Sequence, residues 1–215
     1  MIGETKIRRA LSLKDLMAKK YDTFPFEGAW YDAFKRPERT GVWFVWGGST
    51  NGKTSFMTQL CCELAKYDRI IYNSLEEGTS LSMQEAFMRV NPELLERRIL
   101  FSPGDAGESM EQLSARLSAR KSPGIAVIDS FHAAELDFKK YKRFKAAHPD
   151  KLLIFTSLAE GRQPMGRPAG RARFDATLKI WVEGFVAHSM GRFIGPTGKY
   201  VIWEEGARRH WGDAV

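Results

Sequence analysis

Short apolar runs alternate with longer stretches of helical periodicity up to about residue 157. The runs that predict strands are 42–46, 69–74, 99–102, 125–130 and 152–157. The stretches that predict helices are 55–66, 80–90, 109–121 and 137–147. Strands that alternate with helices are typical of an α/β fold, in which a mainly parallel sheet is flanked by helices.

The pattern changes towards the C-terminus. Residues 161–173 are rich in glycine, proline and arginine, and they predict a long mobile loop. Beyond them, 178–183, 185–188 and 199–203 predict strands, with a turn at 195–198 before the last strand. This part of the chain therefore predicts a C-terminal antiparallel hairpin added to the parallel sheet.

The first forty residues predict an arm that precedes a core domain spanning residues 41–215. Ser12 is placed to cap a short helix that continues through Tyr21. The segment from Phe24 to Tyr31 is aromatic but broken by proline and glycine. It predicts an irregular segment pressed onto a surface, either that of its own core or that of a neighbouring subunit.

A G-x-x-x-x-G-K-T motif lies directly after the first predicted strand and before the first predicted helix. A position between a strand and a helix is the context that a phosphate-binding P-loop requires. Glycines let backbone N–H groups close around phosphate oxygens, and the start of a helix adds its positive dipole end. Lys53 can reach the β- and γ-phosphates of a nucleotide. The predicted ATP-binding residues are Gly47, Gly48, Ser49, Thr50, Asn51, Gly52, Lys53, Thr54 and Ser55.

Ligands for a metal ion and a water-activating group are indicated at two other strand ends. Thr54 can offer its hydroxyl to Mg²⁺, and Asp129, which ends an apolar run, predicts a second Mg²⁺ ligand of the Walker B type. Glu76 and Glu77 follow the second predicted strand. Because the carboxyl ends of parallel strands face one ligand crevice, a carboxylate there can activate a water in line with the γ-phosphate.

Composition narrows the remaining classes of function. The chain has 215 residues, a net charge of +7 and a pI of 9.4, which fits a polyanionic partner and also an unspecific basic surface. Cys61 and Cys62 are neighbours on a predicted helix, so a disulfide between them is not expected. The sequence contains no apolar stretch long enough to span a membrane and no signal-peptide pattern. These features predict a cytoplasmic protein.

The order of these motifs resembles the RecA-like P-loop ATPases, in particular the DnaB, RadA and KaiC branch. Ser74-Leu75-Glu76 is similar to the Ser-Leu-Glu of the DnaB-type core, which implies that Glu76 is the catalytic glutamate. The run from Arg192 to Gly198 resembles a segment of that branch in which the arginine of one subunit reaches the γ-phosphate bound by the next. The resemblance spans residues 41–204 and implies catalytic roles for Glu76, Lys53 and Arg192. In size the chain resembles single-domain RecA-like proteins of phages and mobile elements.

The chain departs from the pattern of that branch at three places. Met190 stands where the branch has a lysine two positions before the arginine, and Ile194 is an additional residue. Thr156-Ser157 stands where the DnaB branch carries a glutamine. Ser157 is therefore a candidate for sensing the γ-phosphate.

In RecA-like proteins two loops, after the Walker B strand and after the following strand, line the path of DNA. Both corresponding regions are basic here. In the first, Tyr141 and Phe144 lie between the cations, so the rings can either stack on bases or pack inward. The residues that the resemblance implies as nucleic-acid contacts are Lys139, Lys140, Arg143, Arg162, Arg167, Arg171 and Arg173.

A short assembly motif of RecA-like recombinases is matched by Phe26-x-x-Ala29 just before the core. The same pattern also occurs at Phe131 and at Phe144. Three matches in one chain make the motif a weak indicator of assembly.

Together these features predict a Mg²⁺-dependent ATPase with a RecA-like core. It is expected to act on DNA, single-stranded in the main interpretation, in recombination, repair or replication, and to work as a homo-oligomer in the form of a ring or a filament. Two alternatives stay open. One is a KaiC-like nucleotide-dependent assembly or signalling module without DNA, and the other is a DnaB-like helicase motor.

Overall fold

A computed structural model of the chain describes residues 9–214, so the first eight residues of the predicted arm and Val215 lie outside the described residues. The strands are β1 (Gly41–Gly47), β2 (Ile70–Ser74), β3 (Ile99–Phe101), β4 (Ile125–Asp129), β5 (Leu152–Glu160), β6 (Gln163–Pro164), β7 (Leu178–Glu183), β8 (Val186–Gly191) and β9 (Lys199–Val201). The helices are α1 (Leu13–Met17), α2 (Gly28–Phe34), α3 (Lys53–Leu64), α4 (Leu81–Met88), α5 (Pro92–Glu96), α6 (Met110–Ser118), α7 (Phe138–Ala147), α8 (Arg167–Asp175) and α9 (Glu204–Trp211). A 3₁₀ turn follows at Gly212–Ala214.

The strands form one sheet in the order β3-β2-β4-β5-β1-β7-β8-β9, with β6 paired to β5. Every pair from β3 to β7 is parallel, and β8 and β9 add antiparallel strands at one end. The predicted α/β class, with a mainly parallel sheet and a C-terminal antiparallel hairpin, is therefore confirmed. Within residues 9–214, no helix has the length and apolar character needed to cross a membrane.

Strand β1 lies inside the sheet between β5 and β7 and is covered on both faces. Trp43 and Val45 point into one core, while Val42, Phe44 and Trp46 point into the other. Such a strand needs apolar residues at successive positions rather than in alternation, which explains its continuous apolar run. Helices α2 to α5 pack on the first face and helices α6 to α8 on the second, so the fold has three layers.

The helix caps that the sequence indicates are present. Ser12 and Asp15 form a capping box at α1, and Ser109 and Gln112 form another at α6. Helix α1 nevertheless ends at Met17, four residues earlier than predicted.

The aromatic segment before the core is more regular than predicted. Phe24 and Phe26 are fully buried, stack on each other at 5.5 Å and pack against Trp43, so the surface that they cover is their own core. From Gly28 the chain forms α2, so the expectation of an irregular segment is wrong there. Burial of Phe26, like that of the other two matches to the assembly motif, shows that this phenylalanine serves the core of its own subunit.

The prediction of a long mobile loop at 161–173 is also wrong. The segment forms β6 and most of α8, and Ala169 and Ala172 pack on the sheet. Gly166 precedes the helix and Pro168 lies in its first turn, positions where neither residue breaks a helix. The sequence pattern did not indicate α9, whose Trp211 Nε1–H donates to the Gly184 carbonyl at 3.2 Å.

Candidate active site

The ends of four parallel strands are level with one another at the carboxyl edge of the sheet. In the strand registers, Trp46 lies opposite Ser157, and Ser74 lies opposite Asp129. Strand β5 separates β1 from β4. The loops that follow β1, β2 and β4 therefore leave the sheet on the same side, which is where open α/β sheets bind ligands.

The P-loop residues adopt a tight turn between β1 and α3. Gly52 has φ +93°, a left-handed conformation that glycine reaches without steric cost, and α3 begins at the next residue. Gly52 supplies no side chain to cap the helix, so the N–H groups of its first turn remain available to a ligand. A Cβ on Gly47 would lie 2.4 Å from the Val182 carbonyl oxygen, so the backbones of β1 and β7 could not pack as they do. The uncapped start of α3 is therefore where an anion would bind.

A distant hairpin supports this turn, which the sequence did not indicate. The Gly184 N–H donates to Asn51 Oδ1 at 2.8 Å, and the Phe185 N–H donates to the Asn51 carbonyl at 3.1 Å. A Cβ on Gly52 would lie 2.9 Å from the Phe185 ring. Asn51 thus joins the P-loop to the turn between β7 and β8. The two residues in contact are 133 positions apart in the sequence, so no local pattern could reveal the contact.

Lys53 and Thr54 lie in the first turn of α3, and both are half-buried. Within the described part of the chain, Lys53 forms no ion pair with an acidic residue. A half-buried ammonium at the positive end of a helix is stabilised by an anion, and phosphate is the anion that this arrangement fits.

Asp129 is held by two hydroxyl groups. Tyr72 donates to Asp129 Oδ2 at 2.7 Å, and Thr156 donates to Asp129 Oδ1. Burial raises the pKa of Tyr72 well above its ordinary value, and the negative charge of Asp129 raises it further, so the phenol stays a donor. The Asp129 carboxylate is therefore fixed in orientation at the end of β4. Tyr72 and Thr156 orient this carboxylate, a role that no motif of the sequence indicates.

The residues at this edge fit Mg²⁺ bound together with a nucleotide. Among residues 9–214 no group of three or more His, Cys, Asp or Glu side chains could hold a metal ion without other ligands. Mg²⁺ in nucleotide sites needs no such group, because phosphates and waters supply most of its ligands and the protein adds one or two oxygens. An oriented Asp129 carboxylate and the Thr54 hydroxyl match that requirement.

Glu76 and Glu77 have different surroundings. Both are exposed, but the Ser130 hydroxyl donates to Glu76 Oε1, and the Leu75 N–H donates to the Asp129 carbonyl at 2.6 Å. Glu77 instead accepts a hydrogen bond from Ser82 at the start of α4, at 3.0 Å. Glu76 therefore lies beside the end of β4 that carries Asp129, while Glu77 is directed towards a flanking helix.

Ser157 is fully buried, and its hydroxyl donates to the Leu158 carbonyl at 2.9 Å. Its strand position is level with the P-loop strand at Trp46. The sensor role stays a prediction.

Arg192 lies at the opposite edge of the sheet from the P-loop. Strand β8 runs antiparallel, so its last residue, Gly191, pairs with Leu178 at the start of β7. One six-residue strand spans about 17 Å. Arg192 is exposed, and the loop after it is anchored on α2 because the Gly195 N–H donates to the Ala33 carbonyl at 3.0 Å. The arginine therefore lies far from the P-loop of its own chain.

The cations of α7 divide into paired and unpaired groups. Lys142 and Lys145 form ion pairs with Asp175 of α8, at 3.3 and 2.7 Å. Lys139, Lys140 and Arg143 are exposed and form no ion pair within residues 9–214. Tyr141 and Phe144 are buried in the core, so the alternative in which these rings stack on bases is wrong.

The arginines around α8 differ in how much of each guanidinium is free. Arg162 stacks over Trp181 at 5.2 Å, and Arg171 stacks over Phe138 at 4.5 Å, although both are exposed. Arg167 is exposed, with no ring or acidic partner in the described chain. Arg173 is half-buried over Trp46 at 5.3 Å, and its Nε is buried without a hydrogen-bond partner among the described residues. Burial lowers the pKa of Arg173.

The two predicted DNA regions meet at one cleft. A cavity of about 520 Å³ separates residues 131–137 from the start of α8. Glu135 and Asp137 are among its lining residues, and none of the predicted nucleic-acid contacts lines it.

Comparison with solved structures identifies the fold. No family model matches the chain, and no curated protein matches it. A KaiC-like protein, PH0186, from Pyrococcus horikoshii OT3 is similar with a TM-score of 0.55 and 16% identity, over 80% of this chain and 94% of that one. The flagellar accessory protein FlaH from Methanocaldococcus jannaschii is similar with a TM-score of 0.50 and 18% identity, over 74% of this chain and 81% of that one. The chain therefore shares its fold, which is of the RecA-like type, with these two proteins.

Proposed function

We propose that this protein is a Mg²⁺-dependent ATPase that acts on single-stranded DNA as a homo-oligomer. The observation that carries the ATPase proposal is the meeting of three elements at one edge of the sheet. These are the P-loop turn, the Asp129 carboxylate oriented by two hydroxyl groups, and Glu76 held beside it by Ser130. They come from three different strand ends, and the hydrogen bonds of Tyr72, Thr156 and Ser130 hold the two carboxylates in place there.

Each residue of the site has one role in the proposal. The P-loop N–H groups and Lys53 bind and neutralise the β- and γ-phosphates. Mg²⁺, held by Thr54 and Asp129, would neutralise charge that develops on the phosphate oxygens. Glu76 orients the attacking water and accepts its proton, while Ser130 holds the carboxylate in place.

Free positive charge near the 131–137 cleft supports the DNA part of the proposal. Five exposed cations on α7, on α8 and at the turn before β6 form no ion pair within residues 9–214, although Asp137 lies near the first two of them, and they are Lys139, Lys140, Arg143, Arg162 and Arg167. Arg171 is exposed as well, although it also packs on Phe138. Exposed cations on two adjacent elements can follow a phosphate backbone. Arg173, which packs inward on Trp46, is left out of the proposed contact surface.

The position of Arg192 supports the proposal of an oligomer. An arginine at the far edge of the sheet cannot reach the phosphates at its own P-loop, so a catalytic role for it requires that it act on the nucleotide of an adjacent subunit. Mixing Lys53→Ala chains with Arg192→Ala chains tests this directly. If each inactive variant supplies what the other lacks, the mixture regains part of the ATPase activity that both lack alone. A mixture as inactive as its components would contradict a role for Arg192 across the interface.

The decisive experiment measures ATP hydrolysis by the purified chain with and without Mg²⁺ and with and without single-stranded DNA at low salt. We expect turnover that needs Mg²⁺, is abolished in Lys53→Ala, and changes when DNA is added. Turnover without any binding or response to DNA would remove the DNA part and leave a nucleotide-dependent assembly module. A protein that does not bind nucleotide would remove the whole proposal.

A further inference from the structure

Lys179 is a half-buried lysine on β7, and it forms no ion pair within residues 9–214. Burial lowers its pKa, and the positive charges of Arg173 and Arg192 lower it further. The negative charge of Asp175 raises it, but Asp175 is already paired with two lysines of α7. An ammonium that is partly removed from water beside like charges costs free energy. An anion bound between these cations would offset that cost.

The strand register places Lys179 beside Arg192. Lys179 lies directly opposite Met190 in the antiparallel pair of β7 and β8, so the two side chains leave the same face of the sheet. A Cβ on Gly191, the residue between Met190 and Arg192, would lie 3.5 Å from Lys179 Cδ. The lysine stem therefore runs along the end of β8. Position 190 carries no charge of its own, so the second cation at this end of β8 comes from the neighbouring strand.

The Lys179 ammonium is not placed to serve the P-loop of its own chain. Lys179 lies opposite Phe44, three residues before the end of β1, which is about 10 Å of strand. Its stem leans over Gly191, and Gly191 pairs with Leu178, one residue further from the carboxyl edge. The side chain thus extends towards the amino end of β7, whereas the P-loop follows the carboxyl end of the parallel strand β1.

Arg173 adds a third positive charge at this place. It extends from α8 over Trp46 at 5.3 Å, and its Nε is buried with no hydrogen-bond partner among the described residues. Three cations therefore surround one carboxylate, Asp175, which is already paired. Phosphate groups carry more than one negative charge, and proteins bind them with arginine and lysine side chains that converge on their oxygens.

We propose that Lys179 and Arg192 act as a pair, and that they bind the terminal phosphate of a nucleotide held by the P-loop of an adjacent subunit. The inference rests on the proposed function, in which Arg192 serves that nucleotide, and it adds a second catalytic cation to this role. The oxygens of the phosphoryl group stay negatively charged throughout its transfer to water, so two cations stabilise the transition state more than one.

The opposed positions of Lys179 and Met190 allow the charge to be moved from one strand to the other. Lys179→Met removes the ammonium, and Lys179→Met combined with Met190→Lys returns it from a Cβ about 5 Å away. The measurement is kcat and KM for ATP hydrolysis by the full chain with Mg²⁺. We expect kcat to fall about a hundredfold in the single variant, with little change in KM, and to recover about tenfold or more in the exchanged variant.

Two controls separate charge from structure. Lys179→Arg keeps the charge and should keep most of the activity. Lys199→Met removes a charge from the same face, opposite His188, and its kcat should stay close to the wild-type value. Lys179→Met should also be at least as stable to urea as the wild type, since a partly buried ammonium beside two arginines is replaced by an apolar side chain of similar length. A merely structural lysine would instead lose stability when replaced.

Mixtures of variants test which subunit the pair serves. Lys179→Met mixed with Lys53→Ala should regain activity, because one chain offers an intact P-loop and the other an intact pair of cations. Lys179→Met mixed with Arg192→Ala should stay inactive, because neither chain offers both cations. Activity regained in the second mixture would contradict the pair.

Further outcomes would overturn the proposal. A Lys179→Met variant with wild-type kcat, while Arg192→Ala is inactive, would exclude Lys179 from the site, and so would a loss that the exchanged variant does not restore. Weaker binding of single-stranded DNA with unchanged ATP hydrolysis would assign the phosphate to DNA and overturn the proposal as well. In each of these cases the wild type still hydrolyses ATP. A wild type without ATP hydrolysis would instead remove the proposed function, and this inference with it.

Discussion

The carboxyl edge of the sheet and the basic surface of α7 and α8 are both assigned functional roles, but they are built in different ways. At the edge, each functional group follows a strand end, and its neighbours are hydroxyl groups that orient it, as Tyr72 and Thr156 orient Asp129. On the basic surface, the neighbours of each cation decide whether its charge is free. Asp175 neutralises Lys142 and Lys145.

The difference shows what a residue type can predict. The backbone of a strand fixes where the residue at its carboxyl end lies in the sheet. The type of that residue is therefore enough to suggest a chemical role. A cation on a helix surface has a long side chain, and its role depends on whichever acid or ring lies within reach. Asp175 is itself stabilised as an anion. Burial acts to raise its pKa, but hydrogen bonds from Lys145 and Tyr141 hold that pKa below its ordinary value.

The largest effect is expected for a substitution at the carboxyl edge of the sheet. Glu76→Gln should lower kcat for ATP hydrolysis by about a hundredfold or more, since it removes the proposed base while leaving the phosphate contacts intact. Nucleotide affinity should change little. Glu77→Gln is the matched control, because that carboxylate is directed towards Ser82, and its kcat should stay close to the wild-type value. If the second variant is the inactive one, the two roles have been assigned in the wrong order.

The next effect tests the basic surface. Arg167→Gln with Arg171→Gln should weaken binding of single-stranded DNA by about tenfold at low salt and lower the slope of log affinity against log salt. Lys142→Gln with Lys145→Gln removes the same formal charge from cations already paired with Asp175, and it should have a smaller effect. Fluorescence anisotropy over a salt series measures both. Equal losses in the two double variants would show that pairing with Asp175 does not matter for binding.

A smaller effect on kcat is expected when a hydroxyl group that orients a carboxylate at the carboxyl edge of the sheet is removed. Ser130→Ala removes the donor to Glu76 and should lower kcat by about fivefold without changing nucleotide affinity, since a hydrogen bond to a charged group contributes about 1.5–3 kcal/mol and water replaces part of it. Ser82→Ala removes the corresponding donor to Glu77 and should leave kcat unchanged. Steady-state kinetics separates kcat from KM. An effect on KM alone would argue against the positioning role of Ser130.

The smallest effect is expected on stability, and it concerns a row of aromatic rings in the sheet between the carboxyl edge and the basic surface. Trp46, Trp181 and His188 lie opposite one another on β1, β7 and β8, and Arg162 and Arg173 stack on the two tryptophans. Burial lowers the pKa of His188, and the positive charges of Lys199 and Arg162 lower it further. Its folded pKa therefore lies below the unfolded value of about 6.5, so the unfolded chain binds the proton first. Stability is thus lost as the pH falls through 6.5.

His188→Phe should reduce this loss. The measurement is the free energy of unfolding by urea at pH 7.5 and at pH 5.5 for both proteins. The decrease between the two pH values should be smaller in the variant. His148, whose pKa burial also lowers, is present in both proteins and so cancels in the comparison. The same decrease in both proteins would exclude His188 as a source of the pH dependence.

Much of the fold could be predicted because its signals are local. The apolar runs of β1, β2, β4 and β5, the capping box at α6 and the P-loop turn each lie within a few neighbouring residues. Helix α8 could not be predicted in this way. Its glycines and prolines indicate a loop by composition, but Ala169 and Ala172 gain enough from packing on the sheet to make it a helix. Tertiary burial here outweighs local propensity.

The residues of the candidate site also fall into those that the sequence could indicate and those that it could not. Lys53, Thr54, Glu76 and Asp129 could be named from residue type and position, because motif and strand end are properties of the chain itself. Ser130, Tyr72 and Thr156 could not be given their roles, since each acts on a residue of another strand or loop.

By itself, the sequence determined the alternation of strands and helices in the parallel part of the sheet and the residue types at each strand end, because these depend on the spacing of apolar, glycine and acidic residues along the chain. Only the tertiary structure decided which of two adjacent glutamates is held by Ser130, which cations Asp175 neutralises, and which edge of the sheet carries Arg192. Those outcomes depend on distances between residues far apart in the chain, and such distances are set by how the strands order and pack.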